Sequence, residues 1–335
     1  MRHPIRRLVP LCTALLWVLC DPDQALAWGP GTHVALGEIV LGALHLLPPA
    51  VQALLERFPL HFLYGSVAAD ISLAKKYVPE GRHCHNWHVG EEILHSAPDD
   101  PLRAVGYGYL AHLAADTIAH NVYVPRRLLI TSTSQALGHT YWEHRMDMHM
   151  GEDYMGKARR LVTDYDHTDA DDLMNGVLSR TIFSFETNRK IFRGVLKFQD
   201  DQRWRLMFDK MLQRSRFDLP DPLVDRYRAW SVEYIVGYLR EGHRSAAWAL
   251  DPVGDLNLRL AKKVRRRVLA GDKEGDPRLL EEAAEEFFPF PTTEFSYWPE
   301  VAGPVEVRGL LPGGPSTPPV PPPEGGLESE PGRAG

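Results

Sequence analysis

The sequence predicts an all-α fold, and three observations support this prediction. Patterns typical of amphipathic or buried helices dominate from Thr32 onward. Strand-like alternation of polar and apolar residues is scarce. The 335 residues are 44% hydrophobic, which is enough for one large core or two smaller ones. We therefore expect a multi-helix protein that holds its functional residues in a helical core.

The first 27 residues have the pattern of a secretory signal peptide. Three arginines precede an apolar stretch of about 13 residues, and a small-x-small cleavage site ends at Ala27. This stretch is shorter than the roughly 20 residues that span a bilayer, which favours cleavage over an uncleaved membrane anchor. We expect a secreted or periplasmic protein that begins at Trp28. No later segment is apolar enough to cross a membrane.

Cysteine content and charge exclude two classes of protein. Cys12 and Cys20 lie within the signal, so Cys84 remains alone and a disulfide framework is excluded. Lipid attachment at Cys20 is disfavoured because the bulky Leu19 precedes it. The net charge of −6 gives no bulk attraction to polyanions, so we expect no specific nucleic acid partner. A phosphate-bearing substrate must be bound locally, and no protein partner can be inferred.

Four helices are predicted with the clearest boundaries. Thr32 is a plausible N-cap for the first helix, and Pro48 with Pro49 ends it. The third has the length and near-continuous apolarity of a buried helix, and the fourth is amphipathic. The predicted ranges are Val34–Leu47, Ala50–Phe58, Leu102–Asn121 and Leu223–Glu241.

The chain is expected to contain one main domain. We predict a helical domain over residues 28–245 and a C-terminal helical extension over 246–302. Residues 303–335 contain nine prolines and eight glycines, a composition that cannot bury enough apolar surface to become ordered. We predict that this tail is disordered.

The predicted buried helix carries three possible metal ligands. His112, Asp116 and His120 are spaced by four residues, so they lie on one face of the helix and drift by about 40° per step. An isolated core histidine is usually a structural residue. Three ligand-type side chains on one apolar helix, however, would be costly to bury without a compensating ion. The pattern therefore indicates a metal site.

Two other clusters offer further ligands. His139 and Glu143 repeat the four-residue spacing, and an imidazole with a carboxylate is common in zinc sites, although an exposed helix pair has the same spacing. Cys84 lies in a second cluster, but the nitrogen and oxygen character of the other ligands makes it a minor option. At least one of three neighbouring histidines is expected to bind metal: His83, His85 and His88.

Cleavage after Ala27 would create a further ligand at the new terminus. A free α-amino group has an ordinary pKa of about 7.7 to 8, and a divalent cation would favour its neutral, coordinating form. The glycines and proline between Trp28 and His33 allow a sharp turn. The backbone of Trp28 and the imidazole of His33 are therefore expected to reach one ion.

Together these residues resemble the zinc-dependent phospholipases C. Relatives of that family include glycosylphosphatidylinositol-specific phospholipase D and, more distantly, the fungal single-strand nucleases. The resemblance covers about residues 28–147 and implies a multi-helix domain with three zinc ions in its core. The implied metal ligands are Trp28, His33, Asp70, His85, His112, Asp116, His120, His139 and Glu143.

The family pattern also implies how these ligands are shared. Trp28 and His33 would bind one ion. Asp70, from a turn that resembles Gly-x-x-x-Pro-Asp, and His85 would bind another, and Asp116, paired with His112, would bridge two ions. The third ion would be bound by His120, His139 and Glu143. The chain departs from this pattern at Ala69, where proline is usual. The four-residue step from Asp116 to His120 is similar to that of the phospholipase D relatives.

The resemblance implies phosphodiester hydrolysis. Asp70 would orient or deprotonate the attacking water as well as bind metal, and the zinc ions would stabilise the developing charge. The expected reaction releases a phosphorylated head group from a phospholipid, with peripheral membrane contact. Two alternatives remain open at this point. One is a zinc nuclease or other phosphodiesterase, and the other is a non-catalytic module in which the metal only stabilises the fold.

Overall fold

The structure, a computed structural model, describes residues 28–301 except 73–77, 132–134, 180, 182, 216 and 272–275. Helices and short connections form this part of the chain, and no β-strand occurs in it. The predicted all-α fold is confirmed. The predicted signal peptide and the predicted disordered tail lie outside the described residues. Within them, no helix combines the length and the apolarity that a membrane span requires.

The helices follow one another with short connections. In chain order they are α1 (Pro30–Gly42), α2 (Pro49–Arg57), α3 (Pro59–Ala68), α4 (Trp87–Ser96), α5 (Asp100–Ile118), α6 (Val124–Thr131), α7 (Gln135–Met150), α8 (Glu152–Thr163), α9 (Thr168–Val177), α10 (Phe185–Gln199), α11 (Gln202–Gln213), α12 (Asp221–Glu241), α13 (Asp255–Gly271), α14 (Pro277–Phe287) and α15 (Trp298–Val301). A π-helical turn, Ala119–Tyr123, joins α5 to α6. The second, third and fourth predicted helices correspond to α2, α5 and α12.

The first predicted helix differs from the structure at both ends. Helix α1 begins at Pro30, with Gly29 and not Thr32 as its N-cap. Proline suits this position because the first helical residues need no N–H for an intrahelical hydrogen bond. The α-helix also ends at Gly42, and residues 44–46 form a separate 3₁₀ turn. The N-cap prediction was wrong because another helix supplies the capping carboxylate, as described below.

Helix α5 is buried along most of its length and packs against α3, α4 and α12. Two glycines allow the backbones of α3 and α5 to touch. A Cβ atom on Gly65 would lie 2.1 Å from the Val105 carbonyl oxygen, and one on Gly108 would lie 2.0 Å from that of Phe62. Any larger residue would force the two helices apart. This close approach brings Asp70, which follows α3, next to the side chains of α5.

A buried polar cluster links α3 to α9 and α10. The ring of His167 stacks on that of Tyr64 with 3.5 Å between centroids. The Tyr64 hydroxyl donates a hydrogen bond of 2.5 Å to Asp171, which also forms an ion pair with Arg189. The cluster therefore links α3 to α9 and α10 through buried polar groups that pair with one another.

The residues of the predicted C-terminal extension pack on the helices before them. The indole nitrogen of Trp87 donates to the Leu250 carbonyl oxygen at 2.9 Å. Leu129 of α6 forms a small apolar cluster with residues of α13 and α14, including Ala261 and Ala284. The predicted boundary at residues 245–246 stays a prediction, but the extension makes direct contacts with the rest of the fold.

The protonation of His167 should make the stability of the fold depend on pH. Burial lowers the pKa of His167 from 6.5 to about 4. Between these values the unfolded chain binds a proton that the folded chain does not, so the free energy of unfolding falls as the pH falls from about 6.5 towards 4. We expect His167→Gln to reduce this slope by up to about 1.4 kcal/mol per pH unit, measured by urea unfolding.

The control is His95→Gln, which changes an exposed histidine. This variant should keep the pH dependence of the unmodified protein. Identical slopes for His167→Gln and the unmodified protein would show that His167 is not buried in its neutral form.

Candidate metal centre

The carboxylate of Asp116 lies at the centre of the candidate metal site. It belongs to the last turn of α5 and is 0% exposed. Its Oδ1 atom lies 3.3 Å from Nε2 of His33. Its Oδ2 atom lies 3.2 Å from Nε2 of His85 and 3.1 Å from Nε2 of His112. Oδ1 therefore faces one imidazole nitrogen, and Oδ2 faces two.

Asp70 belongs to the group that faces Oδ2. Its Oδ1 atom lies 3.3 Å from Nε2 of His85 and 4.0 Å from Nε2 of His112. The Nε2 atoms of these two histidines are 3.0 Å apart. The side chains of His33 and His112 also lie together, with stacked rings 3.8 Å apart. The structure thus brings five of the predicted ligands into one buried cluster: His33, Asp70, His85, His112 and Asp116.

The spacing of these atoms fits zinc. Two ligands of a tetrahedral zinc ion, each about 2.0–2.1 Å from the metal, lie ~3.3 Å apart. Most of the distances above are close to that value. Neither oxygen of Asp116 accepts a hydrogen bond from a described residue, although three imidazole nitrogens are near them. A pair of zinc ions that share the Asp116 carboxylate would explain why these polar atoms can be buried together.

Hydrogen bonds behind the cluster orient its imidazoles. Nδ1 of His112 lies 2.9 Å from the Ser66 carbonyl oxygen, which places the proton on Nδ1 and leaves Nε2 as the atom that could coordinate a metal ion. Nδ1 of His85 lies 3.2 Å from Sγ of Cys84. Because Ser66 belongs to α3, the close packing of α3 and α5 also sets the orientation of His112.

Burial and neighbouring charges determine the protonation of the cluster. Burial raises the pKa of Asp116, but the contacts with His112, His33 and His85 outweigh this effect and hold the pKa of the carboxyl well below its ordinary value. Burial lowers the pKa of His33, and the charge of His112 lowers it further. An ionised carboxylate and a neutral imidazole are the forms that coordinate a divalent cation.

Among the three candidate histidines near Cys84, the structure brings His85 to the cluster. The side chain of His88 is exposed. His83 is half-buried, and its Nδ1 atom accepts a hydrogen bond of 3.1 Å from the backbone N–H of His85. Sγ of Cys84 lies with the nitrogens of His83 and His85 in a second group whose members are within 4.8 Å of one another. Cys84 therefore contacts the ring of His85, and His83 contacts its backbone N–H.

Trp28 docks against the turn of α5 that carries Asp116. Its indole nitrogen donates to the Ala115 carbonyl oxygen at 3.0 Å, and its ring stacks on Tyr123 with 4.7 Å between centroids. The backbone N–H of His33 donates to the carbonyl oxygen of Gly29 at 3.1 Å. These contacts bring the predicted first ligand to the same part of the fold as His33 and Asp116.

Asp147 of α7 holds the segment between Trp28 and His33. Its buried carboxylate accepts hydrogen bonds from the backbone N–H of Thr32 at 2.7 Å, from the Thr32 hydroxyl at 2.6 Å and from the N–H of Gly31 at 3.3 Å. Burial raises the pKa of Asp147 to about 6, against the lowering effect of these hydrogen bonds. Asp147 therefore caps α1 from another helix, which is why Thr32 is not the N-cap.

The third predicted ligand group is partly described. His120 lies in the π-helical turn, and its ring centroid is 6.4 Å from that of His85. Its Nδ1 atom donates to the Pro252 carbonyl oxygen at 2.5 Å, so Nε2 is the atom that could coordinate a metal ion. Glu143 of α7 is buried. His139 precedes it on the same helix, but its side chain lies outside the described residues.

Three residues that position the site were missed by the sequence reasoning. Asp147 follows Glu143 by one helical turn, so the four-residue spacing could have drawn attention to it. Pro252 and Gly254 belong to a turn, and nothing in a turn pattern shows which side chain it contacts. Gly254 has a φ of +65°, and a Cβ atom there would lie 2.3 Å from Cβ of His120.

Comparison with known proteins gives one family. Residues 32–187 match a family model described as zinc dependent phospholipase C. The match contains every predicted ligand from His33 to Glu143, and Trp28 precedes its first residue by four positions. No curated protein and no solved structure is similar to the chain.

Replacing Gly254 should disturb His120 without changing any predicted ligand. The added Cβ atom of Gly254→Ala would overlap with His120 and would require a left-handed backbone conformation that alanine disfavours. We expect a loss of about 1–3 kcal/mol in the free energy of unfolding. We also expect about 10–100-fold weaker binding at one zinc site, measured by competition with a chromogenic chelator.

The matched control is Gly194→Ala on α10, where an added Cβ atom meets nothing within 4 Å. This change should be neutral or slightly stabilising, because alanine is the better helix former. Unchanged zinc binding and stability in Gly254→Ala would contradict the role assigned to the contact with His120.

Proposed function

Because the chain belongs to the zinc-dependent phospholipase C family over residues 32–187, we propose that it hydrolyses a phosphodiester bond of phospholipids and releases a phosphorylated head group. Family membership supports a zinc-dependent hydrolase of the phospholipase type. The observation that carries the proposal is the buried Asp116 carboxylate: its Oδ1 atom faces one imidazole and its Oδ2 atom faces two, at the spacing of zinc ligands.

We assign three zinc ions to the site, with the ligands that the family pattern implies. When bound, zinc ions lower the pKa of a coordinated water and neutralise phosphoryl oxygens that gain charge during in-line attack. Asp116 would bridge two ions. The remaining ligands are assigned as Trp28 and His33 for one ion, Asp70, His85 and His112 for the second, and His120, His139 and Glu143 for the third.

Asp70 is the proposed catalytic residue of this reaction. Its carboxylate is buried beside His85, and the glycine contact between α3 and α5 fixes the backbone that leads to it. A rigid carboxylate at this position can orient the attacking water and accept its proton. Water oriented in this way would attack phosphorus on the side opposite to the leaving oxygen. As the bond to this oxygen breaks, the proton taken up by Asp70 would pass to it, and diacylglycerol would leave.

The proposal predicts a large loss of activity for Asp70→Asn. The amide cannot accept a proton and is a weaker zinc ligand, so we expect hydrolysis to fall by about 10²–10⁴-fold. The assay measures release of the phosphorylated head group from a short-chain phospholipid by the zinc-loaded protein without its first 27 residues. Chelation should abolish the activity, and added zinc should restore it.

Asp225→Asn is the matched control, because Asp225 is an exposed aspartate on α12. The same protein is tested on single-stranded DNA. Cleavage of DNA without hydrolysis of any phospholipid would replace the proposed reaction with that of a nuclease. Failure to hydrolyse any phosphodiester would favour a module in which the metal only stabilises the fold.

We further propose that removal of residues 1–27 during export completes the metal site. The released α-amino group of Trp28 would then become a ligand, whereas the indole contacts with Ala115 and Tyr123 do not involve that group. A chain with one additional residue before Trp28 should therefore fold normally but bind zinc at one site about 10–100-fold more weakly.

Mass spectrometry of the exported protein should find a chain that begins at Trp28. The zinc content of this chain is compared with that of the extended chain, and circular dichroism serves as the control for folding. A different first residue, or equal zinc binding by both chains, would remove Trp28 from the ligand set.

A further inference from the structure

A basic and partly apolar surface lies on α11. Leu206 is 53% exposed and Met207 is 54% exposed. They are neighbours in sequence, whereas the other large apolar side chains that are exposed in the described part of the chain occur singly on α13 and α14. Isolated exposed leucines are ordinary on protein surfaces, but an adjacent pair on a helix forms a patch that favours a binding partner.

Positive charges accompany this pair. Arg203 and Lys210 lie four residues before and three residues after Met207, which are the steps that place side chains on one side of a helix, and Arg214 directly follows the last residue of α11. None of these three cations forms an ion pair with a carboxylate of the described residues. The chain as a whole has a net charge of −6, so this concentration of cations is local. We call the surface of Arg203, Leu206, Met207, Lys210 and Arg214 the docking face.

The opposite side of α11 packs against α7, close to the candidate metal centre. The ring of Phe208 lies 4.1 Å from that of His144, centroid to centroid, and Trp204 lies 6.1 Å from the same ring. His144 directly follows Glu143 on α7. The inner side of α11 therefore packs on the helix that carries a proposed zinc ligand, and the docking face points away from this contact because Leu206 and Phe208 lie about 160° apart around the helix.

A surface pocket of about 580 Å³ adjoins the docking face. Met207, Lys210 and Arg214 line it together with Tyr141 and Ser215. The Tyr141 hydroxyl donates to Oγ of Ser215 at 2.9 Å and accepts a hydrogen bond of 2.6 Å from Arg145. The pocket thus combines two cations and two hydroxyls with an apolar wall, a combination that suits a phosphate group attached to an apolar chain.

We propose that the docking face binds the protein to an anionic phospholipid surface. Leu206 and Met207 would enter the boundary between head groups and acyl chains, and the cations would contact lipid phosphates. This proposal rests on the proposed function. If the protein hydrolyses phospholipids, the docking face would hold the membrane that contains the substrate beside α7. Helix α11 lies beyond residues 32–187, so the docking face is outside the family match.

Charge favours a lipid surface over a second copy of the chain. A symmetric dimer through this helix would place the same cations against each other, and this repulsion opposes the contact. An anionic membrane offers the complementary charge and also accepts the apolar pair.

The experiment measures binding of the protein without its first 27 residues to vesicles by flotation. Vesicles of phosphatidylcholine are compared with vesicles that also contain phosphatidylserine. We expect binding to the anionic vesicles, and weaker binding at high salt because salt screens exposed charges. The double variant Leu206→Ser with Met207→Ser should bind about tenfold more weakly or worse. Lys210→Glu with Arg214→Glu should lose the preference for anionic vesicles.

Leu256→Ser is the matched control, because Leu256 is 74% exposed on α13. It should bind vesicles as the unmodified protein does, and circular dichroism confirms that all variants fold. Equal vesicle binding by all variants would overturn the proposal. The proposal would also be overturned if the variants of the docking face changed the oligomeric state, measured by light scattering, and kept their binding to vesicles. Because flotation requires no hydrolysis, docking that depends on this face without phospholipid cleavage would refute only the proposed function.

Discussion

The buried carboxylate of Asp116 is the constraint on which the rest of the structure depends. An ionised group with no contact to water is stable only if other charges or a metal compensate it. Here the compensation comes from imidazoles of α1, α5 and the segment before α4, and each must approach within about one ligand spacing. The glycine contact between α3 and α5, the cap of α1 by Asp147 and the docking of Trp28 all serve this requirement. The fold is therefore organised around a charge that its apolar core alone would exclude.

Much of this arrangement could be predicted from local sequence. The all-α fold follows from helical periodicity, and the buried helix is recognisable because its nearly continuous apolar run carries His112, Asp116 and His120 at steps of four residues. The spacing of His112, Asp116 and His120 is local information too, since residues four positions apart lie next to each other on one face of a helix. The π-helical turn changes this picture at His120, because the chain widens there and the residue is held by a distant backbone carbonyl.

The remaining contacts could not be predicted because they join segments that are far apart in sequence. Pro252 bonds to His120 across 132 positions, and Asp147 bonds to Thr32 across 115. No local pattern contains these pairs. Every residue has a carbonyl oxygen, and whether an aspartate is buried depends on which helix packs against it. The wrong N-cap for α1 has the same origin. Thr32 has a side chain that suits an N-cap, but it lies in the first turn of α1, where its N–H and hydroxyl donate to Asp147.

The division between ligands and their supports also follows the family match. Residues 32–187 contain all predicted ligands but one, whereas several groups that hold them lie outside this range. Trp28, the remaining predicted ligand, precedes the match. Pro252 and Gly254, which contact His120, follow it, as does Phe208, which packs on His144. A local sequence pattern does not identify such supports, because a backbone carbonyl or an aromatic contact can come from many sequences. In this chain the supports that lie beyond the matched range come from two segments: α11 packs on the helix that carries Glu143, and the turn after α12 contacts His120.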